Sequence, residues 1–219
     1  MEVLVSQDDL KKKPCIVFTK TSPYMVSGLE NFTNSRGDKL RTTPVMSLCR
    51  CGESKRKPCC DGAHTANGID GEKKPGRLKD KVHSFKGKNI IIHDNRAVCS
   101  HDGTCVNELP SVFMKGRRPW INPDGATVAE IVDVIERCPS GALSYTIDDK
   151  LHDTLDRSPA IKVALNGPLE ITGWIELKDD MDSKPLSAEH YTLCRCGASK
   201  NKPFCDGSHF EAHFVDEEN

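Results

Sequence analysis

Two strings of seventeen residues constrain this chain more than anything else in it: LCRCGESKRKPCCDGAH at 48–64 and LCRCGASKNKPFCDGSH at 193–209. They belong to a longer duplication. Residues 16–64 match 161–209 without a gap at a constant offset of 145, so that Pro23 faces Pro168, Gly28 faces Gly173 and Leu48 faces Leu193. A gapless match of this length means two copies of one folding unit. In the second copy, IKVALNGPLEITGWIEL reads as two strands about a Gly-Pro turn and HYTLCRC as a third short strand. CDGSHF reads as the start of a short helix that puts Cys205 and His209 on one face. A unit of about fifty residues buries too little apolar surface to stand alone. The arrangement predicted for such a pair is two joined copies sharing one core, with metal adding stability.

Within the strings the metal-binding residue types coincide: Cys49, Cys51, Cys60 and His64 in the first copy, Cys194, Cys196, Cys205 and His209 in the second. The 219 residues include eleven cysteines, most of them clustered with His, Asp and Gly. Clustered thiols in a reducing compartment hold metal more often than they pair. Disulfides fit poorly: the count is odd, Cys59 and Cys60 are adjacent, and Cys49 and Cys51 lie too close for an easy mutual bridge. Three thiolates and one imidazole suit either zinc or an iron–sulfur cluster, and a Cys-x-Cys pair is less comfortable for structural zinc than the usual Cys-x2-4-Cys.

Composition narrows the function classes. Charged residues make up 29% but cancel to a net charge of −1, which gives no case for nucleic acid or an anionic membrane as partner. No apolar run approaches the roughly twenty residues of a membrane span. The opening MEVLVSQDDLKKKPC lacks the pattern of a secretory signal. No Ser/His/Asp set, phosphate loop or substrate-pocket signature points to an enzyme. The expectation is a soluble cytoplasmic protein without a catalytic site of its own.

Both strings fit the pattern Cys-x-Cys-x2-Ser-x3-Pro-x-Cys-Asp-Gly-(Ser/Ala)-His at every position. In this the chain resembles the CDGSH iron–sulfur domains, or NEET proteins. The resemblance implies one 2Fe–2S cluster per motif, with Cys49 and Cys51 on one iron and Cys60 and His64 on the other, and likewise in the second copy. It also implies a β-rich fold in which two units pack side by side, here as a pseudo-dimer within one chain. Three thiolates and a neutral imidazole leave an oxidised 2Fe–2S site one charge less negative than four thiolates would, so its potential should lie above that of all-cysteine ferredoxins. Histidine also takes a proton more readily than cysteine, which predicts a proton-coupled potential and a cluster that is labile in acid. Asp61 and Asp206 are placed to cap the helix beside each cluster, and Gly62 and Gly207 to allow close backbone approach.

Between the copies, KNIIIHDNRAVCSHDGTC reads as a strand, 89–93, running into a cysteine loop. Val128, Ile131, Val132 and Ile135 have helical spacing and predict a helix over about 126–137. CPSGALSYTI then breaks the helix and continues as a strand. Cys99, Cys105 and Cys138-Pro139, with PWI at 119–121, resemble the divergent single-cluster ferredoxins. That resemblance implies a 4Fe–4S or 3Fe–4S cluster on Cys99, Cys105 and Cys138. Asp102 stands where a middle cysteine would be and is favoured as fourth ligand, with His101 its competitor.

The fold class expected is α+β: two β-rich CDGSH units as an intrachain pseudo-dimer, with a small ferredoxin-like α+β domain inserted. The divisions are an N-terminal tail at 1–13, the first unit at 14–66, a linker at 67–84, the ferredoxin-like domain at 85–148, a second linker at 149–158, the second unit at 159–213 and a C-terminal tail at 214–219. Lys55, Lys57, Lys200 and Lys202 read as solvated loop residues, and His83, His93, His152, His190 and His213 as surface residues without ligand spacing. Cys59, matched by Phe204, reads as apolar packing. The function expected is electron transfer to a redox partner, an oxidoreductase or a ferredoxin-type acceptor, with cluster storage and transfer as the second reading. A monomer with an internal pseudo-dimer is favoured.

Overall fold

Alternating burial sorts both repeats into short strands, each with one face turned to a core. The computed structural model describes residues 13–216 and residue 219. The first repeat supplies β1 (Cys15–Val17), β2 (Tyr24–Ser27), β3 (Asn31–Thr33), β4 (Val45–Leu48) and α1 (Ala63–Asn67). The inserted region supplies β5 (His83–Lys86), β6 (Ile91–Asp94), α2 (Thr104–Glu108), α3 (Val128–Glu136), β7 (Leu143–Ile147) and β8 (Lys150–His152). The second repeat supplies β9 (Ala160–Val163), β10 (Leu169–Thr172), β11 (Glu176–Lys178) and β12 (Tyr191–Leu193). The protein is β-rich with few helices, in keeping with an α+β class.

The two repeats exchange a strand. One sheet runs β11-β1-β2-β4 and another β12-β10-β9-β3. Thus β3, from the first repeat, pairs in parallel with β9, and β11, from the second, pairs in parallel with β1. At the offset of 145, Asn31 corresponds to Glu176, so the exchanged strands are equivalent segments. Phe32, 2% exposed, therefore lies opposite Ile161, and both sheets close over one core that includes Ile16, Val26, Leu48, Ile171 and Leu193. The contacts between copies are reciprocal. Cys51 and Cys196 share an antiparallel bridge. A Cβ placed on Gly52 would lie 2.5 Å from the Cys196 oxygen, and one on Gly197 would lie 2.5 Å from the Cys51 oxygen. Both positions have positive φ, so glycine is required here by conformation and by space.

The inserted region has its own sheet, β5-β6-β7-β8, packed on α3. Thr127 accepts from the Glu130 amide while Glu130 accepts from the Thr127 amide, which satisfies both free donors at the start of α3. Ile131, Val134 and Ile135 turn its apolar face onto Ile92, Phe113 and Tyr145. The region then docks on the second repeat. Asn201 Nδ2 donates to the Ala97 carbonyl at 2.7 Å, His101 lies over Gly207, and Gly141 abuts His190.

Several expectations change. Strand β8 falls within the stretch read as a linker, because Lys150–His152 folds back on β7 as a hairpin. Of the two Asp-Gly turns in the repeats only the first runs into a helix, α1; after Gly207 the second copy makes successive turns instead, which bring Phe214 against Arg195 and Asp216 into an ion pair with it. The stretch read as a C-terminal tail is thus packed at Phe214, Asp216 and Asn219, whose Nδ2 donates to the Lys57 carbonyl. Of the N-terminal tail, 1–12 lie outside the described residues. His190 is buried beside Glu189, and His93 and His152 are half-buried in the inserted sheet. Lys202 is buried, not solvated. Cys59 is exposed, whereas Phe204 packs in the core, so the two equivalent positions do not share a role.

Candidate metal centres

In each repeat the Cys-x-Cys pair leaves the end of a strand, β4 or β12, and the second pair stands on the Asp-Gly turn. The backbone sets the pairs. Cys49 N donates to the Pro58 carbonyl and Cys194 N to the Pro203 carbonyl, each at 2.8 Å. Asp61 accepts from the Lys55 amide at 2.8 Å and the Ala63 amide at 3.0 Å; Asp206 accepts from the Lys200 and Ser208 amides at 2.8 and 3.1 Å. Each aspartate thus pins the loop as well as the turn, a wider role than the capping expected of it. Gly62 and Gly207 take φ of 91° and 85°, the left-handed conformation that lets the chain bring Cys and His four residues apart onto one side.

The resulting spacings are those of chelate pairs. Cys49 Sγ and Cys51 Sγ lie 3.6 Å apart, as do Cys194 Sγ and Cys196 Sγ. Cys60 Sγ is 3.3 Å from His64 Nδ1 and Cys205 Sγ is 3.5 Å from His209 Nδ1. Two sulfurs about 2.3 Å from one tetrahedral metal lie roughly 3.7 Å apart, and a sulfur and a nitrogen slightly closer. Among the described residues no three His, Cys, Asp or Glu side chains gather as ligands of a single ion. Two pairs, each suited to one metal atom, fit a dinuclear group. Amides already point at the sulfurs: Gly62 N to Cys60 Sγ at 3.4 Å and Ala198 N to Cys196 Sγ at 3.5 Å. Burial pushes the Cys51 thiol up to about 11. The Cys194 thiol is held below its ordinary value, first by its contact with the Cys196 thiol and then, against burial, by the Ser199 amide and Lys202.

The arginine inside each Cys-x-Cys, overlooked in the sequence reading, is a buried strut. Arg50 donates to the Thr19 and Ser22 carbonyls at 2.8 and 3.0 Å and stacks over Phe18 and Tyr24. Arg195, 1% exposed, donates to the Gly167 and Ala164 carbonyls, both at 2.8 Å. Each holds the metal loop to the preceding strand turn and sets a buried cation beside the thiols.

The inserted region builds a cavity walled by Cys99, Cys105 and Cys138, with Asp102 and Asp94 also on its lining. Burial pushes the Cys99 thiol up to about 12 and Cys105 to about 11. Thiols this reluctant to ionise become ligands only when a metal displaces their protons. His101 is absent from the cavity wall: its backbone takes φ of 59°, and its ring turns out onto Gly207. Asp102 stays on the wall, with Oδ1 accepting from the Thr104 amide at 3.2 Å. Asp94 was missed. It is 1% exposed, burial raises its carboxyl to about 6, and its Oδ1 has no partner. Three thiols and an unpartnered buried carboxylate oxygen around one cavity fit a metal cluster. A second signal was legible but unread: His101-Asp102-Gly103-Thr104-Cys105 is Cys60-Asp61-Gly62-Ala63-His64 with the ligand types interchanged, and Gly103 has the same φ, 92°.

The family of iron-binding zinc fingers of CDGSH type matches residues 21–65 and 166–210, and the divergent 4Fe-4S mono-cluster family matches residues 85–148. The chain carries two CDGSH iron-binding domains with a divergent 4Fe-4S mono-cluster domain between them. It is also 46% identical over 61 residues to the uncharacterized protein YjdI of Escherichia coli K12, a match that covers 28% of this chain and 80% of YjdI. The same figures hold for YjdI of Escherichia coli O157:H7. No solved structure matches the chain significantly. No helix among the described residues is long and apolar enough to cross a membrane.

The two CDGSH units are unequal in their surroundings. In the first, His64 is half-buried, Lys55 and Arg56 are exposed, and Gly62 faces open space. In the second, His209 is 6% exposed, Asn201 replaces the exposed arginine and anchors the 4Fe-4S domain, and His101 covers Gly207.

Proposed function

We propose that this CDGSH protein transfers electrons through three iron–sulfur sites set in a row. Cys49, Cys51, Cys60 and His64 would hold one 2Fe–2S cluster, and Cys194, Cys196, Cys205 and His209 another. Cys99, Cys105 and Cys138, with Asp102, would hold a 4Fe–4S or 3Fe–4S cluster. When bound, such clusters supply one-electron chemistry. The chain's contribution is to space the donors, aim amides at the sulfurs, keep water from the second site and hold the sites in contact.

The single observation that carries this reading is that contact. Cys51 and Cys196 are bridged backbone to backbone, and His101, two residues from Cys99, lies on Gly207, two residues from both Cys205 and His209. Cluster storage alone would need no such line. The strand exchange and reciprocal glycine contacts support reading the two units as an intrachain pseudo-dimer, a task that a homodimer otherwise performs with two chains. The cytoplasm, which keeps thiols reduced, is the proposed compartment, and an oxidoreductase or ferredoxin-type protein the proposed partner.

Anaerobic purification with iron and sulfide counting and EPR spectroscopy tests the reading. About eight irons per chain are expected, seven with a 3Fe–4S centre, and about four would leave the middle cavity empty. A colourless protein holding zinc would refute it. One observation favours cluster transfer as a second activity, at the first site: His64 is only half-buried where His209 is 6% exposed. Mixing the holo-protein with an apo-ferredoxin separates the two. Reduction with all clusters retained supports electron carriage; loss of a cluster to the acceptor supports transfer.

A further inference from the structure

We propose that the outer face of the sheet β11-β1-β2-β4 is a docking surface for an acidic ferredoxin-type protein, bound there as the chain's own 4Fe-4S domain is bound on the second sheet. The inference rests on the electron-transfer reading above and deepens it by giving the external partner a place and a charge.

The outer faces of the two sheets are equivalent in sequence and opposite in surroundings. Strand alternation puts Val17, Met25 and Val45 on the outside of the first sheet, away from the core that takes Ile16, Val26 and Met46. Val17 lies directly across from Met25, and Val45 across from Ser27 on the same face of β2. All three apolar side chains are exposed, Val45 by 56%. At the offset of 145 their counterparts are Lys162, Glu170 and His190. Lys162 pairs with Glu170 at 3.2 Å, and His190 is 4% exposed. Across from Met25 stands Ser47, half-buried; across from Glu170 stands Thr192, 2% exposed.

The inserted domain covers the second face. A Cβ on Gly141 would lie 3.0 Å from the His190 oxygen, and Asn201 donates to the Ala97 carbonyl. Burial raises the Glu170 carboxyl; Lys162 opposes this and Asp102 of the inserted domain adds to it. The first face lies open instead, and where the second carries an ion pair it carries valine and methionine.

Two features identify the occupant. One is the equivalence itself: in this chain the sheet face beside a CDGSH metal loop already receives a single-cluster ferredoxin-like domain. The other is charge. Residues 14–66 contain eight Lys and Arg against four Asp and Glu, a formal +4, whereas 159–213 contain six against eight, a formal −2. Part of the difference falls at the docking edge, where Arg56 is exposed and its counterpart Asn201 is buried against the inserted domain. An apolar centre with cations at its rim is complementary to a patch ringed by carboxylates. A second copy of this chain would set two cationic units face to face, which opposes a dimer at this surface.

The second unit supplies the substitutions for the test, since the same strands already carry them there. Val17→Lys with Met25→Glu copies Lys162 and Glu170, and Arg56→Asn copies Asn201. Leu165→Lys is the control, at an exposed apolar residue of the second unit whose counterpart is Lys20. Each full-length holo-protein is purified anaerobically, its iron counted, and its affinity for a strongly acidic plant-type ferredoxin measured by calorimetry at two salt concentrations. The unmodified protein should bind, and more weakly as salt rises. Val17→Lys with Met25→Glu should weaken binding about tenfold and Arg56→Asn about fivefold, while Leu165→Lys should leave it unchanged. Equal affinity in all of these proteins would overturn the proposal. So would an unmodified protein that does not bind, whether its face is bare or held by the chain's own residues 1–12. Sedimentation of the unmodified protein as a dimer that Val17→Lys with Met25→Glu dissociates would overturn it as well, by seating a second copy there. Binding that depends on these residues, with no electron passing from the reduced ferredoxin, would uphold the surface and bring down the electron-transfer reading instead.

Discussion

At the scale of single residues, the donor types are easy to read and their surroundings are not. His64 and His209 are each one ligand-like nitrogen in a set of sulfurs, so replacing either by Cys adds a negative charge to that site. The expected result is a midpoint lower by on the order of 100 mV and loss of its pH dependence, checked by redox titration at several pH values; an unmoved potential would contradict the ligand role. Asp102→Ala is expected to reduce the iron count from about eight to about seven, while Asp94→Asn should leave it unchanged. If the variants behave the other way round, the buried carboxylate with its unpartnered oxygen is the ligand. Asp94 was illegible in the sequence because its burial depends on β6 pairing with β7, which sets it opposite Leu143 and against the cavity.

At the scale of elements, what had a local cause was readable. Helix α3 follows from apolar spacing and ends near its expected boundary, and strands β6 and β7 lie within or close to theirs. Thr127→Ala removes the cap that starts α3 and should cost about 1 kcal/mol, measured by urea unfolding. The helix leads directly to Cys138, so loosened retention of the middle cluster should accompany it. The segment before the second metal loop is held by Glu189, fully buried and bidentate to Arg157, with a further bond from the Gly173 amide. Burial pushes the Glu189 carboxyl up, but Arg157 and the Gly173 amide outweigh it and leave it below its ordinary value. A depressed carboxylate stabilises the fold above its unfolded value, near 4.5, and that contribution is lost as pH falls through the folded value. The stability gap between the protein and Glu189→Gln should therefore be full at pH 7 and shrink in acid. A gap independent of pH would show that the ion pair is not its source.

At the scale of the whole molecule, the exchange of β3 and β11 joins the two CDGSH units through shared sheets. Phe32 belongs to the first repeat in sequence but to the second sheet in space. Phe32→Ala should cost about 3–5 kcal/mol and lower cluster retention at both CDGSH sites together. Loss confined to one site, followed by EPR during mild denaturation, would mean that the units are stabilised separately. The duplication was legible from sixteen onwards along the chain, yet the swap was not, because parallel edge pairing depends on which copy lies alongside, and both copies offer the same edge.

The chain's sequence alone determined what the metal loops are: which donors stand at which interval, where glycine is needed, and that the unit occurs twice around a third cysteine-bearing segment. Chelate geometry and turn conformation are local, reaching over a few residues, and so they are written in a few residues. Only the tertiary structure decided that the two nearly identical loops differ, the first facing open space at Gly62 and the second with His101 against Gly207 and Asn201 bonded to Ala97. Their sequences are nearly the same, and the difference lies in what a segment a hundred residues away in the chain packs against.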